Sequence, residues 1–307
     1  MKTKFLTFAA FVAMMASCSS ENDFIPQDEG KPQPITVAAS VTELNTRAGY
    51  ETPQGGTAVL PTTFYLSITQ DATEGSMYNY SNIEMTKGSD NTYTCTPTLL
   101  WKDEEHSLTA ATAYTINTGT SAAFSIQEDQ SDVTNVLVSD LLGAKLGDNG
   151  ITIGSNNNIN VSFTHLLCKF DVNYTWGSEF TTENKSITKV VYSGFGKDVT
   201  VVPAECTVEK GQTTSNITAY LNEAKNGSEA IFAPYATDAP KINIYVMVDG
   251  EERIFEVKVT NPSEGYVSGT RYTMDVQIGG TGTRVENVKP TIANGWGEPT
   301  DGNMATE

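Results

Sequence analysis

Histidine is close to absent: the chain of 307 residues has two, His106 and His165, far apart in sequence. No HExxH, GxSxG, GxGxxG or P-loop pattern occurs, which removes the motifs of zinc proteases, serine hydrolases, dinucleotide enzymes and NTPases. Cysteine is limited to four positions, 18, 95, 168 and 206. The last three are odd in number and widely spaced, which fits neither a disulfide framework nor a zinc motif. Cations are scarce as well, 19 Lys and Arg against 37 Asp and Glu, for a formal net charge of −18. That balance excludes nucleic acid, whose phosphates need Lys and Arg to displace counterions, and disfavours direct binding to anionic lipid. The acidic excess reads as solubility and mutual repulsion. Acidic pairs are unavoidable at this content and none stands out. Asp103-Glu104-Glu105 beside Trp101 reads as a solvated loop or as a sugar or calcium site. No enzyme activity, cofactor or metal is expected.

What the chain does contain is Thr, Asn, Ser, Gly, Val and Tyr in abundance, with no long Ala/Leu/Glu/Lys-rich run. This is a β-rich, extracellular-looking composition. The length suits one large or two ordinary domains with a core that needs no disulfides.

The N-terminus carries its own signal. Lys2 and Lys4 precede an apolar run from Phe5 to Met15, too short to span a bilayer, that ends in Ala16-Ser17-Cys18. A positive start, a short apolar centre and small residues before a cut mark a secretory signal over residues 1–17. Met15-Ala16-Ser17-Cys18 looks like a bacterial lipobox, in which Cys18 is acylated and becomes the first residue; the alternative is an ordinary signal with a chance Cys. Two or more acyl chains, at about 0.8 kcal/mol per buried methylene, would tether the chain to a membrane without spanning it.

After a Pro-containing linker, Ile35, Val37, Ala39 and Val41 alternate with Thr36, Ala38, Ser40 and Thr42, the period of a strand with one apolar face. Arg47 follows. Between Lys4 and Lys87 the only other basic residue is Lys31. An isolated Arg in the polar stretch Leu44 to Tyr50 is a target for an Arg-specific protease, with Arg47-Ala48 as the bond cut; a solvated surface Arg is the alternative. A cut there would release residues 18–47, strand included. About 4–6 kcal/mol of apolar burial and a strand edge would then need a new partner, which a strand from another molecule could supply.

The rest of the chain reads as short β-type runs between turns. Phe64 to Ile68 is a strand, Met77 to Met85 and Thr92 to Trp101 form a hairpin, and Ser107 to Thr115 follows. Asp132 to Leu146 has a partly helical period and reads as a short helix or an irregular edge. From Asn160 to Tyr174 the apolar parity flips at His165, which predicts a bulge or bend in one long strand and makes His165 a structural corner. Cys95 and Cys168 read as small core residues. The polar stretch Trp176 to Asn184 supplies a boundary between residues 48–178 and 179–307. Beyond it come seven more runs, among them Ala230 to Tyr235 and Ile242 to Val248, with a tight hairpin turned at Asp249-Gly250. The spacing predicts an all-β chain of two tandem β-sandwich domains. Val288, Pro290, Ile292 and Trp296 share one parity near the end, with Pro290 confining that strand to an edge.

Several runs together resemble the fimbrillin-like (Mfa-like) lipoproteins of Bacteroides and its relatives. They are Met15-Ala16-Ser17-Cys18, Thr46-Arg47-Ala48, Leu99-Leu100-Trp101, Ala113-Tyr114, Val161 to Phe170 and Gly269 to Met274. Ser19-Ser20-Glu21-Asn22-Asp23 is similar to the Ser-plus-acidic export signals of such lipoproteins. The resemblance implies two tandem transthyretin-like β-sandwiches and a structural subunit of a cell-surface pilus, a fimbria that contributes to adhesion. It implies anchoring to the outer membrane through Cys18, trimming by an Arg-specific protease at Arg47-Ala48, and displacement of Ile35 to Val41. The partners would be other pilin subunits, joined by β-strand addition with Val288 to Trp296 as the candidate donor. The tail beyond Trp296 lacks apolar alternation, so stalk, tip, accessory and anchor roles stay open. The alternative is a monomeric surface lipoprotein that uses Trp101 or Trp176 on exposed loops to bind a glycan or host ligand. Metabolic labelling with a radioactive fatty acid is expected to mark the protein and to leave Cys18→Ala unmarked; label on that variant would refute the lipid anchor.

Overall fold

Alternation of apolar and polar side chains organises the first half into strands. β1 is Val37–Val41, β2 Thr63–Thr69, β3 Tyr80–Lys87, β4 Thr92–Thr94, β5 Ala110–Tyr114 and β6 Ala123–Ser125. An α-helix, α1, covers Val133–Ser139, and then come β7 Leu142–Lys145, β8 Ile151–Ile153 and β9 Ile159–His165. The computed structural model describes residues 32–41, 60–88, 92–147, 149–178, 180, 185–279, 285–288 and 290–293.

The first sheet runs β1-β4-β3-β2-β5-β7-β9-β8, and β1 also pairs with β9, so the sheet closes on itself as a barrel-like ring. Phe64, Leu66 and Ile68 of β2 point inward at every second residue, as a strand demands. Phe64 meets Tyr93 and Phe163 edge-on, with ring centroids 4.7 and 5.2 Å apart, and Trp101 is buried in the same core. α1 starts where Asp132 caps it, the carboxylate accepting from the Thr134 N–H at 2.7 Å. The run from Asp132 to Leu146 is thus a helix of two turns followed by strand β7.

The second half contains β10 Cys168–Trp176, β11 Lys185–Gly196, β12 Asp198–Val202, β13 Thr207–Lys210, β14 Thr214–Thr218 and β15 Tyr220–Leu221. It continues with β16 Gly227–Val248, β17 Glu251–Val259, β18 Arg271–Ile278, β19 Val285–Val288 and β20 Thr291–Ala293. β16 belongs to two layers. Its first third pairs with β10 and β15, beside β18 and β20; its last third pairs with β11 and β17, beside β14 and β19. The runs Ala230 to Tyr235 and Ile242 to Val248 are therefore one strand, bulged where it changes layer. Asp249 and Gly250 both have positive φ, 50° and 87°, as a type I′ turn requires.

Phe170, Phe232 and Tyr272 of one layer pack against Tyr192 and Phe195 of the other. The Ser228 hydroxyl lies 2.6 Å from that of Tyr174 and 2.8 Å from that of Tyr192, so a hydroxyl chain ties the layers across the core. A small third sheet, β6-β12-β13, joins the halves.

The change of core falls at Leu166. Phe163 is in the first core, whereas Leu166, Leu167 and Cys168 are in the second. The parity flip at His165 marks the end of one strand and the start of another in a different sheet, not a bulge within a single strand. β10 consequently packs with later strands, ahead of the 178–179 boundary read from the polar stretch. The crossing is clamped by Gly269, whose N–H donates to Leu167 O at 2.7 Å; its φ of 72° and the 2.9 Å from a would-be Cβ to His165 O require glycine.

Tyr93 gives the first core a pH limit. Its hydroxyl donates to Pro61 O at 2.6 Å, and burial pushes its pKa up to about 12 from the ordinary 10.0. A folded value above the unfolded one means stability that is complete below pH 10.0 and is lost as pH climbs through about 12. The urea midpoint should therefore fall across that window, and fall less in Tyr93→Phe. An equal fall in both proteins would contradict this account.

Candidate functional site

β1 closes the ring from a chain position that precedes every other described strand. The approach to it is already bonded: Gln33 O accepts from Trp101 N at 2.9 Å, Ile35 N donates to Leu99 O at 2.8 Å, and Pro34 bridges Leu100. On one side Val37 and Ala38 pair antiparallel with Tyr93 and Thr92 of β4. On the other, Val37 through Val41 run parallel to Ile159 through Phe163 of β9, and Ile159 N donates to Thr36 O at 2.8 Å. Ile35, Val37, Ala39 and Val41 all face the first core, Val37 with no exposure at all. Ser40 lies outward, its hydroxyl 3.4 Å from that of Ser162. Both edges and one face of the strand are thus in use.

The other sequence-predicted positions are dispersed. Cys18, Arg47, Ala48 and Trp296 lie outside the described residues. Val288 ends β19 in register with Val259, and Ile292 of β20 is in register with Tyr272. Pro290, buried between them, sits where the chain passes from the edge of one layer to the edge of the other. A residue without an N–H suits a place where the ladder is interrupted. The candidate donor segment accordingly pairs with its own second half in this structure.

Trp101 is not on an exposed loop. It is 1% exposed and its indole N–H donates to Asn157 O at 2.9 Å. Trp176 is half-buried against Phe180, with Lys185 over its ring at 5.5 Å. The loop Asp103-Glu104-Glu105 is exposed, and among the described residues no group of three His, Cys, Asp or Glu side chains is placed to hold a metal. Cys168 is fully buried and Cys95 half-buried, and burial raises the pKa of both thiols. His165 lies at the crossing with Nδ1 2.9 Å from the Asp140 carboxylate, a buried pair inside the protein rather than a ligand. No described helix is long and apolar enough to cross a membrane.

Two further features lie away from β1. Lys169, Asp171 and Arg271, all buried, and the half-buried Glu229 form a group of two cations and two anions: Lys169 Nζ is 3.0 Å from Glu229 and 3.8 Å from Asp171, and Arg271 is bonded to Asp171. A cleft of about 420 Å³ between the ring and α1 is lined by Leu60, Ile116, Phe124, Leu137 and Val138. The signal for the first was the placement of Lys169 and Asp171 at alternate positions of a strand whose other face is apolar.

These observations describe a mostly β protein whose first sheet is closed by β1, with no catalytic constellation among the described residues. Residues 46–296 match the model of the fimbrillin-like family, and the chain belongs to that family. Its members are structural pilins, not enzymes, and the chain is a pilus-associated protein of the cell surface. It is similar to a protein of Bacteroides uniformis described as a candidate cell adhesion protein, with a TM-score of 0.59 and 19% identity over 86% of this chain and 99% of that one. A Bacteroides ovatus protein of the same description gives 0.60 and 14% over 86% and 96%. These likenesses concern the fold. No curated protein matches the chain.

Val37→Asp tests how tightly β1 is held. An unpaired carboxylate in the first core should cost several kcal/mol, on the order of the penalty for burying a lone charge. Amides 37–41 should then exchange with deuterium far sooner than in the unaltered protein; unchanged protection would mean that β1 is not seated by that side chain.

Proposed function

We propose that the chain is a structural subunit of a pilus on the outer cell surface, exported as a lipoprotein through Cys18 and assembled by strand exchange. Cleavage at Arg47-Ala48 releases the segment that carries β1, and a strand from a neighbouring subunit takes its place between β4 and β9. The observation that carries this reading is the seating of β1. Its loss breaks no connection among the other strands, yet it leaves two unpaired edges and an apolar slot beside Tyr93, Ile159 and Phe163. A strand with the same alternation would restore both ladders and refill the slot.

In this reading the donor is the segment Val288 to Trp296, which must first leave its own edges at β17 and β18. The two halves of the chain correspond to the tandem transthyretin-like domains implied by the family resemblance. The membrane partner is the outer membrane, reached by the acyl chains on Cys18. Adhesion follows from display on the pilus, and the candidate cell adhesion proteins with this fold support that role.

The test uses purified lipid-free protein and an Arg-specific protease. Trimming after Arg47 should yield oligomers that resist dissociation, and Arg47→Ala should stay monomeric under the same treatment. A chain ending before Val288 should be trimmed normally and fail to polymerise. Trimmed protein that stays monomeric at high concentration would sink strand exchange.

A further inference from the structure

Between β5 and β7 the chain leaves the ring, lies along the second half and returns. Ala123, Phe124 and Ser125 pair with Thr200, Val199 and Asp198 of β12, and Ile126 N donates to Lys197 O at 3.0 Å. Farther along, Thr218 N donates to Glu128 O and Gln130 N to Thr218 O, both at 2.8 Å, so this segment runs beside the end of β14. The Gln130 side chain then reaches β16. It is wholly buried; its Oε1 accepts from Ile231 N and its Nε2 donates to Ile231 O, each at 2.8 Å.

Those are the two bonds that a neighbouring strand would make. β15 covers this edge of β16 at Ser228 and Glu229, and Gln130 continues the cover where β15 has ended. Ile126, Val136 and Leu141 from the same segment are part of the second core, as is Tyr114 just before it, whose hydroxyl donates to Pro203 O at 2.7 Å. The segment is braced internally: Ser139 Oγ accepts from Gln127 N at 2.9 Å and donates to Asn135 O at 2.8 Å.

We propose that residues 122–141 are a strap that makes ring and sandwich a single cooperative unit, with Gln130 as its clamp. The second half is incomplete alone. Without this segment it lacks three core side chains, and the Ile231 amide and carbonyl lose the Gln130 partner that pairs them. Load applied across the molecule passes through the β6–β12 ladder, the Thr218 bonds and Gln130 as well as through the peptide crossing at Leu166.

Deuterium exchange of the intact lipid-free chain in moderate denaturant, read by mass spectrometry, tests this. The slowest amides of β9 and of the last third of β16 should exchange together in one opening event, a readout that needs no substitution. In Gln130→Ala the two should separate, β16 exchanging about tenfold or more faster than β9. Separate events in the unaltered protein would overturn the proposal, and so would Gln130→Ala leaving the two strands coupled.

Discussion

The parallel pairing of β1 with β9 is the constraint on which the first half depends. Parallel neighbours cannot be joined by a tight turn, so the two strands come from opposite ends of this half. Every other neighbour around the ring is antiparallel. The consequence is that β1 closes the ring while being the only one of its strands whose removal leaves the rest of the chain continuous. A doubly bonded, half-apolar strand that precedes the other described strands is what closes the ring.

The second half answers the same problem differently. β16 bends from one layer into the other, so no loop is needed to pass between them, and the C-terminal strands β19 and β20 finish one edge of each layer. Charges enter its interior in balanced number. Lys169 and Arg271 face Asp171 and Glu229, and removing any one would strand a buried charge, which costs far more than the pairs contribute as a set. Balanced burial of this kind favours one register of β10, β16 and β18 over its neighbours.

Much of this was legible in the order of residues. Ile35, Val37, Ala39 and Val41 face the core their alternation implied, Asp249-Gly250 turns the hairpin, and His165 stands at a corner. The misreadings have a common cause. Local period reports which way side chains alternate, and not which sheet receives them, so the flip at His165 looked like a bulge and Ala230 to Val248 like two strands. Trp101 beside three acidic residues looked like an exposed platform because the Asn157 carbonyl that holds its indole is far away in sequence. Gln130 carried no signal at all, since its partner is 101 positions away and a buried glutamine reads like a surface one.

Period-two alternation and turn chemistry by themselves determined that this is a mostly β chain. The proposed roles of the lipobox-like Cys18 and the isolated Arg47 likewise rest on sequence, since each is a short local pattern. Only the tertiary structure decided that β1 joins β4 to β9, that the core changes at Leu166, and that a segment of the first half completes the second. Those outcomes depend on pairing and burial between distant residues, and such energies exist only once the chain has been brought together.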